Sequence, residues 1–109
     1  MANPIPIIEN FKTGSTGIEV AFTAVVDTLI TSFTATNNTG INRSYRGYIY
    51  ASAGTPEAVR PLKFVTSNRG YDEGVPFLGK VVRAGGSIRL ETPDAADTLV
   101  FNATGQPLE

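Results

Sequence analysis

Apolar and polar side chains alternate most clearly over residues 27–39. Leu29, Thr31, Phe33 and Ala35 fall on one side of an extended backbone, and Ile30, Ser32, Thr34 and Thr36 fall on the other. A period of two in β-branched and aromatic residues, closed by the turn cluster Asn37-Asn38-Thr39-Gly40, predicts a strand. One apolar face against one Ser/Thr face places it in an antiparallel sheet. The alternation recurs. In residues 18–24, Ile18, Val20, Phe22 and Ala24 oppose Glu19, Ala21 and Thr23. In residues 41–51, Tyr45, Gly47, Ile49 and Ala51 oppose Arg46, Tyr48 and Tyr50. Short strands are also expected over residues 62–66, with Leu62 and Phe64 against Lys63 and Val65, and over residues 77–82. Two more follow at residues 87–91, with Ile88 and Leu90 inward, and at residues 98–103, with Leu99, Phe101 and Ala103 on one face.

Between these runs lie turn signals. Ala53-Gly54-Thr55-Pro56, Ala84-Gly85-Gly86 and residues 92–97 read as turns, and the glycines of the second permit positive φ. Residues 57–60 read as one helical turn stopped by Pro61. Residues 67–76 form the longest irregular stretch, and residues 104–109 a polar tail. Seven to eight short strands with turns every 8–12 residues predict an all-β domain, an antiparallel β-sandwich or a jelly-roll-like small barrel. Residues 1–11 stand apart as an extended N-terminal arm before the single β-sandwich domain of residues 12–109. Pro4 and Pro6 keep the arm extended, and Ile5, Ile7, Ile8 and Phe11 make it too apolar to lie free in water. It packs either on its own domain or on a neighbouring subunit.

Composition narrows the chemistry. The chain has 109 residues, nine basic and ten acidic, for a net charge of −1, and it contains no Cys, no His and no Trp. One domain with a thin core fits that size. Without Cys there is no disulfide and no thiolate metal site, and without His the commonest general base and nitrogen ligand are missing. No run approaches the roughly 20 apolar residues of a membrane helix, and the first eight residues lack the basic region of a signal peptide. Three Asn-X-Ser/Thr matches, at Asn37, Asn42 and Asn102, are therefore read as chance. Residues 12–17 have glycines and hydroxyls without the spacing of a phosphate loop. Asp72 and Glu73 lack the alternating ligands of a calcium loop. Asp27, Asp72, Glu73, Glu91, Asp94 and Asp97 all fall at expected turns or strand ends, where solvated carboxylates are ordinary, so paired-carboxylate hydrolysis is not expected. Lys80, Arg83 and Arg89 form too small a cationic patch for nucleic acid. The expectation is a protein without catalytic activity, cofactor or metal that acts through contacts. The candidate contact residues are Ile5, Ile7, Ile8 and Phe11 of the arm, Tyr48 and Tyr50 on one strand face, and Tyr71 in the irregular loop, since Tyr and Arg are enriched at interface hot spots.

Three segments carry a family resemblance. They are the strand ending in Thr36-Asn37-Asn38-Thr39, the run Leu78-Gly79-Lys80-Val81-Val82-Arg83-Ala84-Gly85-Gly86-Ser87-Ile88, and the closing Ala96-Asp97-Thr98-Leu99-Val100-Phe101-Asn102-Ala103-Thr104-Gly105. Together they resemble small β-sandwich virion proteins of tailed bacteriophages. The resemblance is one of strands and turns and holds no catalytic signature. It implies a capsid decoration or cement subunit, made in the host bacterial cytoplasm and carried on the virion. The implied partners are the major capsid protein or other virion proteins, with further copies of the chain in a homo-oligomer, a trimer favoured. The alternative it implies is a tail, fibre or head-fibre module that binds a carbohydrate or receptor through its tyrosines.

Overall fold

The computed structural model describes residues 3–108. Nine strands form within that span: β1 (Ile5–Phe11), β2 (Ile18–Thr23), β3 (Thr28–Asn37), β4 (Arg43–Tyr50), β5 (Pro56–Val65), β6 (Gly70–Asp72), β7 (Val81–Val82), β8 (Ser87–Glu91) and β9 (Leu99–Pro107). A single 3₁₀ turn, Val75–Phe77, separates β6 from β7. One sheet has the order β1-β9-β3-β6, with β7 also paired to β3, and the other has the order β2-β8-β4-β5. The pairs β4·β5, β3·β6, β2·β8 and β1·β9 are nested, so the chain is one long hairpin folded at the β4–β5 turn. Rolling the hairpin brings β3 against β9 and β4 against β8 and closes the two sheets. This is the winding of a double-sheet jelly roll. It leaves β1 and β2 side by side on one wall of the sandwich and β5 and β6 on the other.

The apolar faces meet between the sheets. Ile30, Phe33, Ala35, Tyr45, Ile88, Leu90, Leu99 and Phe101 are fully buried. The Phe33 and Phe77 rings stack with centroids 4.5 Å apart, and Tyr45 meets Phe101 edge-on at 5.3 Å. Gly47 makes room for that cluster, since a Cβ there would lie 2.3 Å from the Phe77 ring. The inward residues expected on β8, β9 and β4 are the ones observed.

Five expectations are corrected. In β3 the register shifts between Ile30 and Ser32, so a bulge changes the phase of the strand. Ile30 therefore joins Phe33 and Ala35 in the core, while Thr31 is exposed and Leu29 half-buried. Residues 57–60 are not a helical turn but the start of β5, because pairing with β4 already begins at Tyr50·Pro56. Pro61 is accommodated on this edge strand where the register shifts between Tyr45·Lys63 and Gly47·Arg60. The irregular stretch holds strand β6, paired to Ala35–Asn37 of β3. Strand 77–82 shrinks to Val81–Val82, since Phe77 turns inward from the 3₁₀ turn to reach Phe33. The tail is strand as far as Pro107, with Gly105 buried and Pro107 opposite Thr28.

The segment read as an arm is strand β1 from Ile5 onward, antiparallel to β9 on its own domain, with Pro6·Thr104 and Phe11·Phe101 among the paired residues. Its first two residues lie outside the described span.

Candidate interaction surface

The two outward faces of the sandwich differ in chemistry. On the five-stranded sheet, β3 presents Ser32, Thr34 and Thr36 and β9 presents Asn102 and Thr104. Thr104 shares hydrogen bonds with the hydroxyls of Thr31 at 2.7 Å and Ser32 at 2.6 Å. That face is rich in hydroxyls, and Thr31, Ser32 and Thr104 satisfy one another there.

The four-stranded sheet presents aromatic and charged side chains. Registers of Arg46·Glu91, Tyr48·Arg89 and Tyr50·Ser87 place these pairs side by side across β4 and β8. The Tyr48 hydroxyl donates to Glu91 Oε1 at 3.0 Å, and Arg46 Nη1 approaches the same oxygen at 3.4 Å. The Arg89 guanidinium lies over the Tyr50 ring, 4.0 Å from its centroid, and its Nε donates to Ser87 Oγ at 3.0 Å. The two tyrosine rings meet edge to face at 6.4 Å. Burial and the Glu91 carboxylate push the Tyr48 hydroxyl above its ordinary pKa, so it stays a neutral donor. Each long side chain is thus already held before any partner arrives, which lowers the ordering cost of binding. Exposed apolar residues flank the centre: Ile18 and Val20 on β2, and Leu62 and Phe64 on β5. Aromatic residues and Arg at the centre of an outward sheet face are the composition of an interface core.

The structure unites Tyr48 and Tyr50 on this face and separates the other candidates from it. Ile8 is only 3% exposed and belongs to the core, which corrects its assignment as a contact residue. Ile7 and Phe11 pack partly against the same core, with the Phe11 ring 6.4 Å from Phe101. Ile5 remains 47% exposed beside a groove of about 240 Å³ that it forms with Ile7, Phe22, Val25, Val26 and Pro107. Tyr71 is 65% exposed on β6, the far edge of the other sheet.

One cluster escaped the sequence reading. Asp72 is not a solvated loop carboxylate. It accepts from the Tyr45 hydroxyl at 2.5 Å, from Arg60 Nη2 at 2.7 Å and Nε at 3.2 Å, and from the Gly74 amide at 3.2 Å. Burial works to raise its pKa, but the bonds from Tyr45 and Arg60 outweigh burial and hold the carboxyl below the ordinary range. For Tyr45, burial comes first and the neighbouring carboxylate second, and both push the phenol far upward. These three side chains tie β4, β5 and β6 together across the gap between the sheets. Their bonds are all spoken for, so the cluster is structural. No short-range pattern in the sequence marks the cluster, since Tyr45, Arg60 and Asp72 lie on three different strands.

Several other acids are also engaged locally. Asp27 bonds Arg83 at 2.9 Å and the Ala84 amide at 2.8 Å, and Glu19 holds the Gly14 amide at 2.9 Å. Lys80 pairs with Glu57 at 3.0 Å, so Lys80, Arg83 and Arg89 each serve a different partner and do not act as one patch. Among the described residues no three Asp, Glu, His or Cys side chains gather in metal-binding geometry. The chain matches no protein-family model, and no curated protein or solved structure is significantly similar to it.

Proposed function

We propose that this chain is a non-enzymatic structural protein of a bacteriophage virion, a decoration or cement subunit that stabilises the head lattice. The observation that carries the reading is the preorganised outer face of the four-stranded sheet, centred on Tyr48, Tyr50, Arg46 and Arg89. An outward sheet face of this kind suits a broad contact with a lattice of repeated subunits. Two further supports are weaker. The strand-and-turn segments resemble phage virion proteins, and the jelly-roll winding is one that viral capsid domains use, an argument by analogy of fold. In this reading the protein is made in the host cytoplasm, joins the particle as a homo-oligomer, a trimer favoured, and binds the major capsid protein.

The second reading is a tail, fibre or head-fibre module that binds a carbohydrate or receptor. The Tyr50 ring, backed by Arg89, and the exposed Tyr71 favour it, because aromatic faces stack on sugars. The jelly roll also serves lectin domains.

Mass spectrometry of gradient-purified phage particles from the source strain separates the two readings. The chain should co-purify with heads in fixed proportion to the major capsid protein, and Tyr48→Ala with Arg89→Ala should lose the heads while keeping the native circular dichroism. Heads free of the chain, with the protein instead on isolated tails or retained by host-surface glycan, would overturn the cement reading in favour of the second.

A further inference from the structure

We propose that the outer face of the five-stranded sheet holds a binding site for a single sugar ring, centred on Glu9, Thr34 and Asn102. The site lies on the sheet opposite the tyrosine face and does not depend on where the chain resides. A shallow hollow of about 250 Å³ is found there, bordered by Pro6, Glu9, Ser32, Thr34, Asn102 and Thr104. That is below the ~300–1,000 Å³ of sites for drug-sized ligands, so it suits one ring and not a chain of them. A regular pleated face has no such hollow, and here both neighbours of β9 are irregular. Strand β1 has an extra residue between Pro6·Thr104 and Ile8·Ala103, and then sets both Glu9 and Asn10 against Asn102. Strand β3 has the extra residue Thr31 between Ile30·Gly105 and Ser32·Thr104. Bulges bend a strand and re-aim its side chains, and these converge from both sides on Asn102–Thr104. Asn10 also holds a left-handed φ of +50°, a conformation that Asn tolerates better than most residues.

The hydrogen bonds around the hollow leave a definite set of groups free. The Asn10 amide donates to Asn102 Oδ1 at 2.9 Å, which occupies the side-chain oxygen and leaves the Asn102 NH2 as a donor. The Ser32 and Thr104 hydroxyls hold each other at 2.6 Å. Among the described residues, nothing bonds the Glu9 carboxylate or the Thr34 hydroxyl. The hollow therefore offers a free acceptor, a free donor and a hydroxyl that can act as either. A pair of neighbouring sugar hydroxyls matches that set, one donating to Glu9 and the other accepting from Asn102. An anion would meet the Glu9 charge, and a cation would meet the hydrogens of the Asn102 amide. The register fixes the footprint. Thr34 lies opposite Asn102, Ser32 opposite Thr104, and Pro6 on the other side of Thr104. Three strands across and two residues along, the patch measures roughly 10 by 7 Å, the extent of one pyranose with its hydroxyls. The Pro6 ring supplies an apolar edge for the C–H side of that ring.

The test is amide NMR of the ¹⁵N-labelled full chain, titrated with the methyl glycosides of glucose, galactose, mannose, rhamnose and N-acetylglucosamine. At least one should bind with millimolar affinity and move the amides of residues 6–10, 32–34 and 102–104. Glu9→Gln and Thr34→Val keep side-chain size on the outer face, so both should retain the native spectrum. Glu9→Gln should weaken binding about tenfold and Thr34→Val about fivefold, the loss of a charged and a neutral hydrogen bond. Silence from every sugar, or variants that bind as tightly as the wild type, overturns the proposal. Shifts centred on Tyr48, Tyr50 or Tyr71 also overturn it and move the sugar to the aromatic residues of the second reading. Methylguanidinium is the control for a cation site. If it moves the same amides more strongly than any sugar, the hollow is not a sugar site. Failure here leaves the virion reading intact, because that reading is judged by particle composition and not by sugar binding.

Discussion

Replacing Asp72 by Asn tests whether the buried cluster holds the β5/β6 wall closed. The substitution keeps side-chain size but removes the charge and turns one acceptor into a donor. Asp72 and Arg60 side chains are only 12% and 16% exposed, so water replaces little of what is lost. One of the two carboxylate positions becomes an NH2, so either Arg60 Nη2, or the Tyr45 hydroxyl and Arg60 Nε, then faces a donor in place of an acceptor. An unsatisfied buried group costs ~1–3 kcal/mol, and breaking a fully buried ion pair costs ~3–5 kcal/mol. With some solvent still reaching the pair, we expect a loss of about 2–4 kcal/mol. A domain of this size has a stability on the order of 5–15 kcal/mol, so the loss is large, and the melting point should fall by roughly 10–15 °C. The pH dependence has a definite sign. The folded pKa of Asp72 lies below its unfolded value, so its contribution is complete above the unfolded pKa of about 3.9 and is lost as pH falls through the depressed folded value. The gap between wild type and variant should therefore be widest near neutrality and narrow below about pH 4. Urea unfolding followed by circular dichroism across that range measures it. A loss under about 0.5 kcal/mol at neutral pH, or a gap that does not shrink on acidification, would falsify the structural role assigned to the cluster.

Other substitutions probe packing and edges. Gly47→Ala drives a methyl into the Phe77 ring and should cost at least about 1–3 kcal/mol in chemical denaturation, as should Gly74→Ala, whose Cβ would lie 2.2 Å from Phe33 at a φ of +57°. Ile8→Ala should cost about 2–5 kcal/mol and Ile5→Ala under about 1 kcal/mol, because only Ile8 is buried; equal losses would refute the β1 register. Deletion of residues 1–4 should leave the melting curve unchanged, whereas deletion of residues 1–11 should abolish the cooperative transition by uncovering β9 and Phe101. Arg89→Ala should leave stability within about 0.5 kcal/mol of wild type, since it removes a surface cation stacked on Tyr50, and a larger fall in urea unfolding would mean that the outer face is structural.

The alternation of side chains alone determined the class of this protein and most of its inward residues. Tyr45, Ile49, Ile88, Leu90, Leu99, Phe101 and Ala103 follow from a period of two, because in a regular strand the face of a residue is a local property. The face bearing Tyr48 and Tyr50 was legible for the same reason. Where a strand is irregular, local pattern fails. The bulge in β3 exchanges Leu29 for Ile30, and the length of β5 across Pro61 depends on β4 being there to pair with it. The place of β1 could not be read either, since an apolar segment is equally suited to its own sheet or a neighbour's. Pairing with β9, 90 residues away in sequence at Phe11·Phe101 and 100 at Ile5·Gly105, settled it. The Tyr45–Arg60–Asp72 cluster was likewise hidden. It depends on which strands become neighbours when the hairpin rolls, and that is fixed by long-range burial, which no short window of residues contains.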